Sequence, residues 1–127
     1  MPSDIYDRIW HAVRERKQIV FSYDGAKREV CPMILGYAVD GEEKVFTYQF
    51  AGTTSRGSKL PEWRCFFLAR MKVLQVRAGE WREGTSHTQS QSCVPFVDVD
   101  ANIPETLKRL APLPFGSRVL LPPRAGG

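Results

Sequence analysis

The sequence predicts a mainly β fold with one N-terminal helix, arranged as a small five-stranded antiparallel barrel with a C-terminal extension. Apolar residues recur at helical spacing near the N-terminus and then at the two-residue spacing of strands as far as Val76. Two turn-forming pairs, Asp24-Gly25 and Asp40-Gly41, separate the apolar runs. Because short turns join antiparallel neighbours, the strands should follow one another as a meander. An open five-stranded sheet with the helix on one face is the alternative.

The N-terminal helix is predicted to run from about residue 4 to residue 16. Ser3 is a suitable N-cap, and Asp4 and Asp7 lie in the first turn, where the helix dipole favours negative charge. The apolar residues at helical spacing are Ile5, Ile9, Ala12 and Val13. We expect this stripe to pack against the sheet or to close one end of the barrel.

The strands are predicted from alternation and from their content of aromatic and β-branched residues. In chain order they span residues 19–23, 26–32 with an extended continuation to 39, 44–50, 60–71 and 73–76. Within 60–71, alternation places Trp63, Cys65 and Phe67 on one face and Arg64, Phe66, Leu68 and Arg70 on the other. The residues expected to be mostly buried are Ile9, Val13, Phe21, Val45, Cys65 and Phe67.

The chain divides by composition into residues 1–82, which hold the helix and the barrel, a polar linker or loop at 83–93, and a C-terminal extension at 94–127. Residues 84–92 lack apolar periodicity, which is typical of a mobile segment. The extension should hold a short strand, a short helix capped by Asn102 with Pro104 in its first turn, and a proline-bounded tail.

Composition and charge exclude several classes of protein. The chain has 127 residues, the size of one domain with a self-sufficient core, of which 43% are hydrophobic and 25% charged. No segment approaches the ~18 apolar residues of a membrane span, and the N-terminus has no secretory pattern, so we expect a soluble cytoplasmic protein. Three widely spaced cysteines and two histidines do not form a metal-binding pattern, and no cofactor is expected. Cys31 and Cys65 are interpreted as small, reduced core residues.

Basic residues are concentrated in one part of the chain. Six of them lie between Arg56 and Arg77, where Glu62 is the single acid, so this segment accounts for the net charge of +4. Arginine binds phosphate and carboxylate with planar, two-point hydrogen bonding. Aromatic residues in the same region, Tyr48 and Trp63 above all, can stack on nucleobases or pack in the core.

The order of residues from Ile5 to Trp81 resembles the WYL domain, a small Sm-like β-barrel of bacterial transcription regulators and defence proteins. The resemblance lies in the helix followed by Ile-Val-Phe-Ser-Tyr-Asp-Gly at 19–25, in Arg28 with Pro32, and in Phe46 at the tyrosine position of the family name. Residues Arg64, Phe66, Leu68, Arg70 and Met71 follow the family pattern arginine-x-phenylalanine-arginine-leucine-x-arginine-isoleucine. The resemblance to the WYL domain implies an Sm-like barrel that senses a ligand, which in some members of the family is a nucleic acid.

These observations predict a non-catalytic regulatory module that binds a nucleotide or single-stranded nucleic acid. The predicted ligand-binding residues are Arg28, Tyr48, Trp63, Arg64 and Arg70. An interaction or oligomerisation module that binds a protein partner or a second copy, with no small ligand, is the alternative. An enzyme is not predicted. His87, Cys93 and Asp98 have the residue types of a thiol triad, but nothing in the sequence indicates an activated thiol. The loop at 52–57 lacks the lysine and the following helix of a phosphate-binding P-loop.

Overall fold

A computed structural model describes residues 3–53, 60–82 and 93–112 and confirms a mainly β fold with one N-terminal helix. Its sheet has six antiparallel strands, because the C-terminal extension adds a strand to the five predicted. The elements are α1 (Asp4–Glu15), β1 (Gln18–Tyr23), β2 (Ala26–Tyr37), β3 (Glu43–Gly52), β4 (Glu62–Phe67), a 3-10 helix (Leu68–Arg70), β5 (Lys72–Arg77), β6 (Phe96–Asp100) and a second 3-10 helix (Pro104–Lys108). Across these described residues, no helix has the length and apolar character needed to cross a bilayer.

Helix α1 begins and ends as the sequence predicts, to within one residue. The Ser3 hydroxyl accepts a hydrogen bond from the Tyr6 backbone N–H at 3.1 Å, which satisfies one of the donors left open at a helix start. At the other end, Arg16 adopts a left-handed conformation with φ 56°, and the Lys17 N–H donates to the Ala12 carbonyl at 2.8 Å. The buried side of the helix carries Tyr6, Ile9, Trp10, Ala12 and Val13.

The strand order is β4-β3-β2-β1-β5, and β6 pairs with β2. Asp24 and Gly25 both have positive φ, 53° and 77°, which is the geometry of the two-residue hairpin predicted between β1 and β2. Along one edge, strand β2 pairs with two strands: with β1 as far as Val30, and with β6 from Ile34 onward. Along its other edge, β2 pairs with β3. Its register with β3 shifts after Pro32, a residue without a backbone donor.

The sheet is strongly curved, yet no described pairing joins its two ends, β4 and β5. Phe66 of β4 contacts Phe21 and Tyr23 of β1 at ring-centroid distances of 5.0 and 4.8 Å, although β3 and β2 lie between these strands in the sheet. The hydrogen-bonded closure of the predicted barrel is therefore not seen. The chain leaves β4 at Phe67 and forms a 3-10 helix before β5 begins, so β4 and β5 are not joined by a simple hairpin turn.

The core confirms most of the predicted buried residues and corrects two of them. Ile9, Val13, Phe21 and Val45 are each no more than 1% exposed. Cys65 and Phe67 are only half-buried, because the face of β4 that meets the core is the other one, which carries Phe66. Val45 pairs with Phe66 across the β3–β4 ladder, and cross-strand partners point to the same face. We call the face of Phe21, Val45 and Phe66 the inner face of the sheet and the opposite one the outer face.

The first part of the C-terminal extension belongs to the same folded unit. Besides the pairing of β6 with β2, the buried Asp98 carboxylate accepts hydrogen bonds from the Tyr6 hydroxyl at 2.8 Å and from Arg109 Nη1 at 2.9 Å. The predicted helix is a 3-10 helix that begins after Ile103, and the predicted cap Asn102 instead donates its backbone N–H to Asp100 Oδ1 at 2.9 Å. Nearly all of the predicted linker, and the tail from residue 113, lie outside the described residues.

The interpretation of Cys65 as a reduced core residue was wrong. Cys65 forms a disulfide with Cys93, with the two Cα atoms 6.5 Å apart, while the buried Cys31 takes no part in this bond. Alternation puts Cys65 on the outer face of β4 beside Trp63 rather than in the core, so its sulfur can meet the segment that leads into β6. Disulfides persist mainly in oxidising compartments, so this bond does not favour the cytoplasmic location, which stays a prediction.

Candidate anion-binding site

Two of the predicted arginines, Arg28 and Arg64, contact the same aromatic ring on the inner face. The Cζ atoms of Arg28 and Arg64 lie 5.6 and 5.8 Å from the ring centroid of Phe66. Arg28 is on this face because it pairs with Phe21 across the β1–β2 ladder, and Arg64 because it precedes Phe66 by two residues on β4. The sheet therefore brings together two positive charges that are 36 positions apart in the sequence.

Arg28 is fully buried, which is unusual for an arginine. Its Nη2 donates a hydrogen bond to the Tyr23 carbonyl at 3.2 Å. Burial, and then the positive charge of Arg64, lower the pKa of Arg28, whereas Asp24, Tyr23 and Glu62 act in the opposite direction. Both effects oppose a charged Arg28, so a negative charge that arrived here would be stabilised.

The third predicted arginine, Arg70, joins this group through Tyr23. The Cζ atoms of Arg28 and Arg70 lie 5.7 and 4.7 Å from the Tyr23 ring centroid. Alternation along β4 had predicted Arg70 on the face of Arg64, but Arg70 belongs to the 3-10 helix and not to the strand. Its side chain approaches the group from the end of the sheet. We call the series Arg64, Phe66, Arg28, Tyr23 and Arg70 the arginine ladder.

Two carboxylates contact the arginine ladder: Glu62, the acid of the basic segment, and Asp24 of the β1–β2 turn. Glu62 Oε2 accepts from Arg64 Nη1 at 2.7 Å, and Asp24 forms an ion pair with Arg70. The hydrogen bond that Arg70 donates to Asp24, followed by the electrostatic interaction with Tyr23, raises the pKa of Arg70. The three guanidinium groups of the ladder still outnumber these carboxylates.

Arg64, in the arginine ladder, and Gln49, beside it, each have a buried polar atom that makes no hydrogen bond within the described part of the chain. These atoms are Arg64 Nε, a donor, and Gln49 Oε1, an acceptor. Gln49 pairs with Glu62 across the β3–β4 ladder, so it shares the inner face with Arg64. Its Nε2 already donates to the Ala51 and Thr53 carbonyls at 3.2 and 3.3 Å. Leaving such an atom unsatisfied costs about 1–3 kcal/mol, so a ligand that reached it after the covering side chains moved would gain affinity.

Tyr48 and Trp63 lie on the outer face, which corrects their predicted position beside the arginines. They are cross-strand partners of each other, and each is adjacent in sequence to an inner-face residue, Thr47 or Arg64. Trp63 stacks on Phe46 at 5.3 Å with an interplanar angle of 3°, and it meets the edge of Tyr48 at 5.0 Å. The five predicted site residues thus form two groups on opposite faces of the sheet.

Sequence reasoning missed Tyr23, Asp24 and Gln49 as parts of the site. The signal for Tyr23 was present, because a two-residue turn at 24–25 sets the register of β1 and β2 and so puts Tyr23 on the face of Arg28. Glu62 was noted as an acid, but its position two residues before Arg64 also placed it on the same face. Gln49 has no such signal, because its role depends on the pairing of β3 with β4.

Neither a metal site nor a related protein adds to this description. Within the residues that the structure describes, no three histidine, cysteine or acidic side chains are grouped as a metal ion would require. Scans against protein-family models, curated proteins and solved structures found nothing that matches this chain. The geometry of the arginine ladder is therefore the basis for a functional proposal.

Proposed function

We propose that this chain is a non-catalytic, ligand-sensing module similar to the WYL domain, which binds a nucleotide or a single-stranded nucleic acid at the arginine ladder. The observation that carries the proposal is the contact of Arg28 and Arg64 with one ring, Phe66. Two like charges held together, one of them fully buried, cost free energy that a bound anion offsets.

The three arginines contribute in different ways. Arg28 is covered, so it acts on a ligand through its charge, whereas the side chains of Arg64 and Arg70 are 26% and 53% exposed and can be reached directly. A guanidinium group can bind two phosphate oxygens at once, and Arg64 uses one nitrogen, Nη1, for Glu62. A phosphate at Arg64 would therefore either share the guanidinium with Glu62 or displace it.

The polar atoms beside the ladder favour a nucleotide over a simple inorganic anion. Gln49 Oε1 accepts and Arg64 Nε donates, and both lack a partner among the described residues. A nucleobase edge presents donors and acceptors together, whereas phosphate at high pH offers only acceptors. Both atoms are buried, so a base and a phosphate would contact them only after the side chains that cover them move.

The test is fluorescence anisotropy of a short labelled single strand, titrated with wild type and Arg64→Ala at several salt concentrations. We expect Arg64→Ala to lose about 1–3 kcal/mol of binding free energy. The slope of log affinity against log salt concentration should become less negative by roughly 0.7, which corresponds to the loss of one phosphate contact. Arg82→Ala is the matched control, because Arg82 also contacts one carboxylate, Glu80 at 3.2 Å, and one ring, Phe50 at 4.7 Å. Equal binding by the three proteins, or no binding of strands and nucleotides, would contradict the proposal.

A second function is favoured by the edge of the sheet. Strand β4 ends the strand order, so within the described part of the chain its outer edge has no pairing strand, and Trp63 and Phe67 beside it are only half-buried. Such an edge can pair with a strand of another chain. If the chain is an interaction module, size-exclusion chromatography with light scattering should show a stable oligomer, and no nucleotide or strand should raise its melting temperature.

A further inference from the structure

A second basic site lies where the β1–β2 turn meets the 3-10 helix that follows β4. There, a cavity of about 410 Å³ is lined by Ser22, Asp24, Gly25, Ala69, Arg70 and Lys72. Two of its six lining residues are cationic and one is acidic, so the cavity has an excess of positive charge. A Cβ added at Gly25 would meet no atom within 4 Å, so the turn does not obstruct a group that enters beside it.

The strand register adds a second lysine to this region. Ser22 pairs with Lys72 on β5 and with Lys27 on β2, so the three side chains form one row across three strands. The row lies on the outer face, since Ser22 alternates with the inner-face residues Phe21 and Tyr23. Lysine ammonium groups on both sides of a hydroxyl are a suitable set of donors for phosphate oxygens.

Arg70 connects this cavity to the arginine ladder. Its guanidinium contacts the Tyr23 ring and is held by Asp24, which also lines the cavity. The Cζ atoms of Arg28 and Arg70 are at most about 10 Å apart, since they lie 5.7 and 4.7 Å from the same ring centroid. On the way to Arg64, the Phe66 ring lies 4.8 Å from Tyr23, and Arg64 Cζ lies 5.8 Å from Phe66. A ligand with several phosphates is long enough to contact Arg64 at one end and Lys72 at the other, with Arg70 between them.

We infer that the cavity between Ser22, Arg70 and Lys72 is a second phosphate site, and that the ligand is a single strand of several nucleotides rather than a mononucleotide. This inference rests on the proposed function, because the strand is held first at the ladder. The second site adds phosphate contacts without reading sequence, since the groups that line it are charges and a hydroxyl.

The experiment compares oligothymidylates of two and of about eight nucleotides, by anisotropy, on wild type, Arg64→Ala and the double variant Lys27→Gln/Lys72→Gln. Both lysines are exposed, so the double variant should fold normally. Lys108→Gln is the control, because Lys108 is an exposed lysine on the second 3-10 helix. We expect the double variant to bind the longer strand about tenfold more weakly. Its slope of log affinity against log salt concentration should be less negative by roughly 1.4, which corresponds to the loss of two phosphate contacts.

For the two-nucleotide probe, the double variant should bind as wild type does, and Arg64→Ala should weaken the binding of both probes. If Arg64→Ala is defective while the double variant binds the longer strand as tightly as wild type, the second site is refuted and the ladder stands. If the double variant loses the same affinity for both probes, the lysines only add to the overall positive potential of the protein, and the second site is again refuted. If wild type binds neither probe, both the site and the proposed function fail.

Discussion

Phe66 of β4 packs edge-on against Tyr23 of β1, with ring centroids 4.8 Å apart and planes inclined at 76°. These rings come from strands that are separated by β3 and β2 in the sheet, so their contact is what the curvature of the sheet achieves. The same two rings are the ones that the three ladder arginines contact. Core packing and the candidate site therefore share Phe66 and Tyr23.

Phe66→Ala should destabilise the fold by about 3–5 kcal/mol, because the ring is 1% exposed and its loss leaves a cavity between β4 and β1. Urea unfolding followed by circular dichroism measures the change. The control is Phe67→Ala, which removes a half-buried ring that contacts Lys44 at 4.6 Å on the outer face. We expect the control to cost much less. Equal losses would mean that the inner and outer faces of β4 are wrongly assigned.

Local patterns in the sequence predicted the helix, the turn at Asp24-Gly25 and most strand positions. These features depend on residues close together in the chain: a Ser3 cap, a turn pair and alternating side chains. The same patterns failed at Arg70, where alternation was continued beyond Phe67 although the chain had left the strand. Alternation separates two faces, but it does not tell which of them meets the core.

The features that the sequence did not reveal are non-local. The pairing of β6 with β2 and the bond of Cys65 with Cys93 bring together segments separated by the polar residues 84–92, and no local pattern encodes such a contact. The grouping of the candidate residues was predicted only in part, for the same reason. Arg28, Arg64 and Arg70 do form one group, whereas the curvature that brings Tyr23 to Phe66 is a property of the whole sheet.

The disulfide should contribute measurably to stability. Cys65 and Cys93 are 28 positions apart, and closing a loop of that length restricts the unfolded chain by roughly 3–4 kcal/mol. A reductant should therefore lower the melting temperature of wild type and leave a Cys65→Ser/Cys93→Ser variant unchanged. Thiol titration of the unreduced, denatured protein should find one free thiol, from Cys31. Three free thiols, or no effect of the reductant, would refute the bond.

Arg28→Met should separate stability from binding. A guanidinium stays protonated in proteins at neutral pH. Burial, which lowers the pKa of Arg28, therefore costs free energy in the folded chain alone. Methionine, an unbranched apolar side chain that is shorter than arginine, removes that cost but leaves a small space, so the free energy of unfolding should stay within about 1.5 kcal/mol of wild type. Affinity for the single strand should fall, because the positive electrostatic potential at Arg64 weakens when the charge of Arg28 is removed. A variant that is destabilised by several kcal/mol yet binds normally would show that Arg28 is purely structural.

Glu62→Gln distinguishes a ligand site from a structural ion pair. Glu62 Oε2 contacts Arg64 Nη1 at 2.7 Å, and both side chains are 26% exposed, so the pair itself is worth no more than about 1 kcal/mol. If an anionic strand binds at Arg64, Glu62 competes with it, and removing the negative charge should tighten binding by roughly threefold to tenfold. The matched control is Glu80→Gln, which removes the carboxylate 3.2 Å from Arg82 and should leave affinity unchanged. Anisotropy at low and at high salt measures both variants, and the gain should shrink as salt screens the charge. Weaker binding by Glu62→Gln, with an unchanged melting temperature, would mean that Glu62 positions Arg64 for the ligand instead of competing with it.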